Sequence, residues 1–349
     1  MKKFAFFLPQ FHEIKENNKW WGKGFTEWVK VKNATPLFKG HNQPKEPLDG
    51  YYNLLDKHTV EQQTKLMKDY QIDGLIYYHY YFKGKKLLQK PAENLLKWKD
   101  INQPFFFCWA NHSWIKSWEG NSTILQEQTY GNELDWEKHF NYLLPFFKDD
   151  RYIKKNNKPL LMIFKTIFDE KENICNFFDK KCQENGFDGI YIINSCNNME
   201  EYKTNTSKKS QYCVLNFLRE PLFSLNAYRT IFIKVIYKIK KILFPKKIDI
   251  YNGNKILNAS INKMIKHKNV IHGLFFEWDN TPRHKNRGYI ITPINKHNFE
   301  KYMNCIKDEE FLFINAWNEW AEGMILEGTK ENGYKYLEWI KDYSLKNKK

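Results

Sequence analysis

Two glutamates three residues apart, Glu319 and Glu322 in the segment NEWAEG, are the residues whose type and spacing best suit chemistry. If the chain turns helically there, residues at i and i+3 share a face, with Cβ atoms roughly 5 to 6 Å apart. Carboxyls about 5 to 5.5 Å apart suit a retaining glycosidic reaction, one handling the proton and the other serving as nucleophile or its equivalent. An ExxE pair alone is common on helices. Here it ends the apolar run Phe311 to Trp320 (FLFINAWNEW) and stands among Asn315, Trp317, Asn318 and Trp320.

That run is one of eight short apolar, β-branched and aromatic stretches bounded by turn signals. The others are Lys3 to His12, Gly74 to Phe82, Pro104 to Asn111, Pro159 to Lys165, Gly189 to Ser195, Tyr212 to Phe217 and His272 to Asn280. They are apolar on both faces, as in a parallel sheet buried on both sides. Helical periods lie between them, at Thr59 to Tyr70, Leu134 to Phe147, Lys171 to Glu184, Phe299 to Ile306 and Tyr334 to Tyr343. Eight strands alternating with helices predict an α/β fold, a (β/α)8 TIM barrel formed by residues 1–349 as one domain, with an insertion at 218–265. No GxGxxG follows the first run, which disfavours a dinucleotide-binding sheet.

In such a barrel the chemistry sits at the carboxyl ends of the strands. Those ends are polar where the strand bodies are not: His12, His79 with Tyr80, Trp109 with Asn111, Lys165, Asn194 with Ser195, Asn216, Trp278 with Asp279 and Asn280, and Asn318 with Glu319. Aromatic residues make up 17% of the chain, and while most must fill the core, those beside polar loop residues can stack on the C–H faces of sugars. Trp28, Trp109, Trp114 and Trp278 are therefore the expected stacking residues, and His12, His79, Asn111 and Asn318 their hydrogen-bonding partners. Tyr80, Lys165, Asp279, Asn280 and Trp320 complete the expected site. His12, His41, His79 and His112 are dispersed, so neither a metal nor a cofactor is expected.

Two connections are too long to be turns. Glu13 to Asp56, rich in Trp, Gly, Pro and Phe, follows the first strand on the expected catalytic face and reads as a wall or lid. The other contains Tyr228 to Leu243 (YRTIFIKVIYKIKKIL), apolar at 231, 232, 235, 236, 239, 242 and 243 with basic residues between. That pattern fits either a packed surface helix or a basic amphipathic helix, in which case residues 228–247 meet an anionic membrane surface. Lys and Arg exceed Asp and Glu by 56 to 40, but no zinc-finger spacing, RNP-like run or basic helix-turn-helix is present, so no nucleic-acid partner is expected. The six Cys are dispersed with no CxxC, the apolar run at the N-terminus is too short for a secretion signal, and no run of 18 apolar residues occurs. A cytoplasmic setting, peripheral to the membrane if the basic helix docks there, is the expectation.

The segments FFLPQFHEIKENNKWWGKGFTEW, PLFKGHNQPKEPLD, IYYHYYFKGKKLLQKP, FCWANHSWIKSWEG, EQTYG, EWDNTPRHKNRG and FINAWNEWAEGMILE together resemble the WbsX-like family, glycosyltransferases of bacterial surface-polysaccharide loci. That family is similar in turn to glycoside hydrolase family 99, (β/α)8 endo-α-mannosidases and endo-mannanases that act with retention. The hydrolases' Glu-x-x-Glu-Gly motif after strand eight maps onto Glu319, Glu322 and Gly323. The resemblance implies Glu319 as the base that helps the sugar's own 2-hydroxyl attack C1 through a 1,2-anhydro intermediate, and Glu322 as the acid/base at the leaving oxygen. Glu322 is then the carboxyl expected to hold a proton near neutral pH. The resemblance further implies glycosyl transfer in surface-polysaccharide or O-antigen (lipopolysaccharide) assembly, acting on an oligosaccharide or lipid-linked glycan. Endo-acting hydrolysis of a mannoside-like α-linkage is the alternative, and a glycan-binding barrel without turnover is disfavoured by the intact pair.

Overall fold

Aromatic and branched side chains that pack on both faces of a pleat favour strands buried on both sides, and eight such stretches become parallel strands here. The computed structural model describes residues 1–116, 123–196, 212–215, 248–264 and 270–347. The strands are β1 (Lys2–Phe7), β2 (Gly74–Phe82), β3 (Phe105–Trp109), β4 (Lys158–Ile163), β5 (Tyr191–Cys196), β6 (Tyr212–Leu215), β7 (Val270–Phe275) and β8 (Phe311–Asn315). Each pairs in parallel with the next in sequence. β8 also pairs with β1, in the register Lys2↔Phe311 to Ala5↔Ile314.

Helices return the chain between strands, α1 (Lys57–Asp69), α2 (Lys90–Lys97), α3 (Glu133–Phe147), α4 (Lys171–Glu184), α5 (Gly253–Met264) and α6 (Lys296–Cys305), and α7 (Lys335–Lys346) follows β8. Their starts are legible in side-chain caps. Asp56 accepts from the His58 N–H at α1, Asn295 from Asn298 at α6, and Asn132 and Asp135 form a capping box at α3.

Strand parity divides the core into two layers. Phe4 meets Phe106 and Phe313 edge-on at 5.4 and 6.1 Å, on one face of the parallel sheet. Phe105 and Phe107 point the other way, onto Phe146 of α3 at 6.4 and 5.0 Å.

Three of the expected strands overran, and the first of them ends at Phe7 rather than at His12. The seventh apolar run ends as strand at Phe275, and Trp278–Asp279 pairs instead with Tyr289–Ile291, which also pairs with Asp249–Tyr251. The eighth ends at Asn315, and Asn318–Glu319 forms a separate hairpin with Met324–Ile325. At the last two places polar residues leave the sheet because its carboxyl edge opens on a cavity rather than on packed helices.

The long first connection is docked along the β7 and β8 loops. Lys45 pairs with Glu277 at 2.7 Å, both largely buried, and the Leu48 N–H donates to Gly328 O at 2.9 Å. Glu327, buried in the β8 loop, accepts four hydrogen bonds, from Tyr52 and Gln63 at 2.8 and 2.6 Å and from the indoles of Trp317 and Trp320 at 2.8 and 2.9 Å. Burial pushes its carboxyl up to about 7 against those four donors. Glu327→Gln turns one acceptor oxygen into a donor facing donors. It is expected to cost on the order of 1 to 3 kcal/mol of unfolding free energy in urea melts. An unchanged midpoint would show that this carboxyl does not hold the loop.

Candidate active site

A cavity of about 660 Å³ opens at the carboxyl ends of the strands. Its floor is Phe6, Tyr78 and Met162, and its walls come from the loops after β1, β3, β7 and β8. Glu319 and Glu322 both line it.

Their approach follows from the local backbone. Trp320–Glu322 forms a single 3-10 turn, in which positions i and i+3 eclipse, so Glu319 and Glu322 face the same way. Gly323 then closes the turn at φ 65°, where a Cβ would lie 2.8 Å from the Asp279 N, so glycine is required there.

One guanidinium spans the pair. Arg283 Nη2 donates to Glu319 Oε2 at 3.0 Å and Nη1 donates to Glu322 Oε1, while Nε and Nη2 both reach Glu27 Oε1, at 2.9 and 2.6 Å. Glu319 and Arg283 have side chains 9% and 15% exposed, and that of Glu322 is 20% exposed. Burial raises the Glu319 carboxyl well above the usual carboxylate range. Arg283 opposes the rise, and the charges of Glu322 and Glu27 add to it. Of the two side chains, that of Glu319 is the more deeply buried, which is why burial acts on its carboxyl so strongly.

Of the other expected site residues, Tyr80, Trp114, Trp278 and Asn280 line the cavity. Trp114 stands edge-on to Tyr80 at 5.0 Å, and Trp278 stacks on Tyr289 at 5.6 Å with an indole N–H that has no hydrogen-bond partner. The remaining side chains are placed elsewhere. His79 and Trp109 point outward by strand parity. His79 lies 2.9 Å from His139 of α3 through the two Nε2 atoms, and Trp109 packs edge-on to His139 at 4.9 Å. Burial drives the His79 imidazole down to about 3, which suits a neutral core pair.

His12 is buried before the long loop, its imidazole pushed down to about 4 by burial. Trp28 packs on Phe11 and Trp320 at 4.5 and 5.4 Å. Trp320 is itself fully buried and bonded to Glu327. Asn111 brackets the Lys165 backbone, accepting from its N–H at 2.7 Å and donating to its carbonyl at 2.8 Å, and Lys165 is exposed off the cavity wall. Asn318 does the same for Leu8, at 2.7 and 3.1 Å. Burial penalises the Asp279 carboxylate, but hydrogen bonds from Thr281, Gln43 and His41 outweigh it and hold the carboxyl below its usual range. These are the polar fasteners of the strand ends, where backbone groups leaving the sheet need partners. Ser195 lines the cavity, and Asn216 and the segment 228–247 lie outside the described residues.

Glu27 and Arg283 are the site residues that motif reading passed over. A signal existed: two carboxyls held close together call for a cation, and Arg283 lies in EWDNTPRHKNRG, as Glu27 lies in KGFTEW.

A parallel α/β fold with an acidic pair in a cavity at the strand ends has the layout of a carbohydrate-active enzyme. The chain belongs to the family described as glycosyltransferase WbsX, whose model matches residues 3–340. The WxcX proteins of two Xanthomonas campestris pv. campestris strains, B100 and ATCC 33913, are each 27% identical to it over 358 residues, covering 96% of this chain and 48% of theirs. The chain therefore spans about half the length of the curated relatives it matches. Two solved structures share the fold. A glycoside hydrolase-like protein has a TM-score of 0.63 at 13% identity, over 98% of this chain and 93% of that one. The GH99 endo-alpha-mannosidase of Bacteroides thetaiotaomicron, in complex with BIS-TRIS-propane, has a TM-score of 0.56 at 12% identity, over 99% and 98%.

Proposed function

We propose that the protein is a glycosyltransferase-type enzyme of surface-polysaccharide or O-antigen assembly, working with retention through Glu319 and Glu322. The observation that carries this reading is the hold of one guanidinium on both carboxyls inside a cavity walled by Tyr80, Trp114 and Trp278. In the first step Glu319 takes the proton of the sugar's 2-hydroxyl as O2 attacks C1, while the bond from C1 to the leaving oxygen breaks and Glu322 protonates that oxygen. In the second, an acceptor hydroxyl gives its proton to Glu322 and opens the 1,2-anhydro ring at C1, and Glu319 returns its proton to O2. A carboxyl whose proton affinity is raised by burial is the stronger base for so weak an acid as a hydroxyl. The same steps with water as acceptor give hydrolysis, the second reading, which the carboxylate pair supports equally. Pairing of β1 with both β2 and β8 supports a closed (β/α)8 barrel, and residues 1–349 then form one domain with an insertion at 218–265.

The deciding experiment offers the protein lipid-linked glycan and free oligosaccharide, each with and without nucleotide sugars, and follows products by mass spectrometry. Elongated products support transfer. Shortened ones with no elongation support hydrolysis, and no product in any arm overturns both.

Trp114→Ala and Trp278→Ala are each expected to weaken glycan binding about 10-fold, the equivalent of about 1.4 kcal/mol, in isothermal titration. Unchanged affinity in both removes the stacking subsites. No helix among the described residues is long and apolar enough to cross a membrane. The segment 228–247 is proposed to hold the enzyme at an anionic membrane, each basic residue near the surface contributing on the order of 1 kcal/mol. Liposome co-sedimentation should drop on Lys→Glu changes at 234, 238, 240 and 241, and indifference to them would refute the docking.

A further inference from the structure

We propose that Glu27 is a positioning residue for the acidic pair: brought in by the long first loop, its carboxylate anchors Arg283 across Glu319 and Glu322 and so decides how the pair shares charge. The proposal rests on the reading of Glu319 and Glu322 as catalytic residues. Glu27 opens the short helix Glu27–Lys32, and its backbone N–H donates to Gln10 O at 3.0 Å. The next residue, Trp28, is wedged against Phe11, Tyr52 and Trp320 at 4.5, 5.0 and 5.4 Å. Trp320 in turn starts the turn that carries Glu322. The loop and the catalytic turn are thus packed on one another, and Glu27, 1% exposed, projects its carboxylate to the cavity wall.

The geometry of Arg283 makes the dependence specific. Its Nε and Nη2 both donate to Glu27 Oε1, a side-on grip that fixes the plane of the guanidinium. With that plane fixed, the outer edge of the fork is left for the pair, Nη2 for Glu319 and Nη1 for Glu322. One positive charge thus faces three carboxyls. Among the described residues, the other titratable groups about the pair are the Tyr78 and Tyr80 phenols of β2 and the Cys108 thiol of β3, all held neutral by burial, the Tyr289 phenol on the cavity wall, and the cavity-lining His112 and His284, whose imidazoles burial also pushes toward the neutral form. None of these offsets the excess of acid at neutral pH. With Glu27 ionised, much of the Arg283 charge is already matched, and Glu319 keeps its proton to higher pH. Without the Glu27 charge, Arg283 belongs to the pair, and Glu319 ionises earlier.

The test is Glu27→Gln, which keeps size and one acceptor but removes the charge. Two readouts are needed, so that failure of this proposal is distinguishable from failure of the glycosidic reading. On substrate, the acidic midpoint of the kcat/KM profile is expected to fall by about one pH unit or more, and Glu27→Asp, which restores the charge, to bring it back toward the wild-type value. Without substrate, the unfolding free energy of wild type minus that of Glu319→Gln is measured from pH 4.5 to 9. It falls as pH rises, because the unfolded carboxyl ionises first, and levels off where native Glu319 ionises. In a Glu27→Gln background the levelling is expected at lower pH. A structural role alone would lower the melting temperature and move neither curve. Curves unmoved by Glu27→Gln overturn the proposal, as does a shift that Glu27→Asp reproduces in full. If Glu27→Gln does not fold, the neutral Glu27→Ala takes its place in both measurements: a shift in the same direction supports the proposal, and curves that do not move overturn it.

Discussion

Glu319→Gln and Glu322→Gln are each expected to lose about 10²- to 10⁴-fold in turnover while the fold and glycan binding survive. An amide keeps the shape and the contact with Arg283 but neither takes nor gives the proton the reaction moves. The two variants should differ in a way that separates the roles. An activated leaving group such as a nitrophenol needs little protonation, so it should restore much of the first step in Glu322→Gln and none of it in Glu319→Gln. The pH profile gives a second check on the wild type. Burial holds native Glu319 above the usual carboxylate range. A base must be ionised to act, so kcat/KM should rise with pH well beyond the region near 4.3 where an ordinary Glu titrates. If both Gln variants keep near-wild-type turnover on a verified substrate, the catalytic assignment is wrong.

That the pair was legible in the sequence while its counter-ion was not has a physical reason. Glu319 and Glu322 are three residues apart, and local backbone geometry alone brings them together. Glu27, Arg283 and Glu319 belong to three different loops, joined only by the fold. The strand centres were legible for a similar local reason, since runs such as GLIYYHYYF are apolar on both faces, and Gly74–Phe82 is a strand over its whole length. The same property hid the phase. In a run apolar on both sides nothing marks which parity faces inward, so His79 was expected at the mouth although Tyr78 and Tyr80 hold the inward places. The polar strand ends were read as ligands for a sugar. Asn111, Asn318 and Asp279 turn out to satisfy backbone and loop groups, a demand any chain leaving a sheet must meet and one that uses the same residue types.

Arg283→Met is expected to be among the most destabilising single changes in the site, on the order of 3 to 5 kcal/mol at pH 8, because it leaves buried carboxyls with no guanidinium beside them. Glu27 is the most deeply buried of the three, with Glu319 close behind. The sign of the pH dependence follows from linkage. Without Arg283, which opposes the effect of burial, the native proton affinity of Glu319 rises further above its unfolded value. A group with a raised native pKa contributes stability at low pH that is lost as pH climbs through that value. The deficit of Arg283→Met against wild type should therefore be smallest near pH 5 and widen toward pH 8. Arg283→Lys keeps the charge but lacks the planar fork that serves three carboxyls at once, so it should fall between the two. Urea denaturation at pH 5, 6.5 and 8 measures all three proteins. A cost below about 1 kcal/mol at every pH, or one that does not change with pH, would mean that Arg283 is not the charge holding the acidic pair in place.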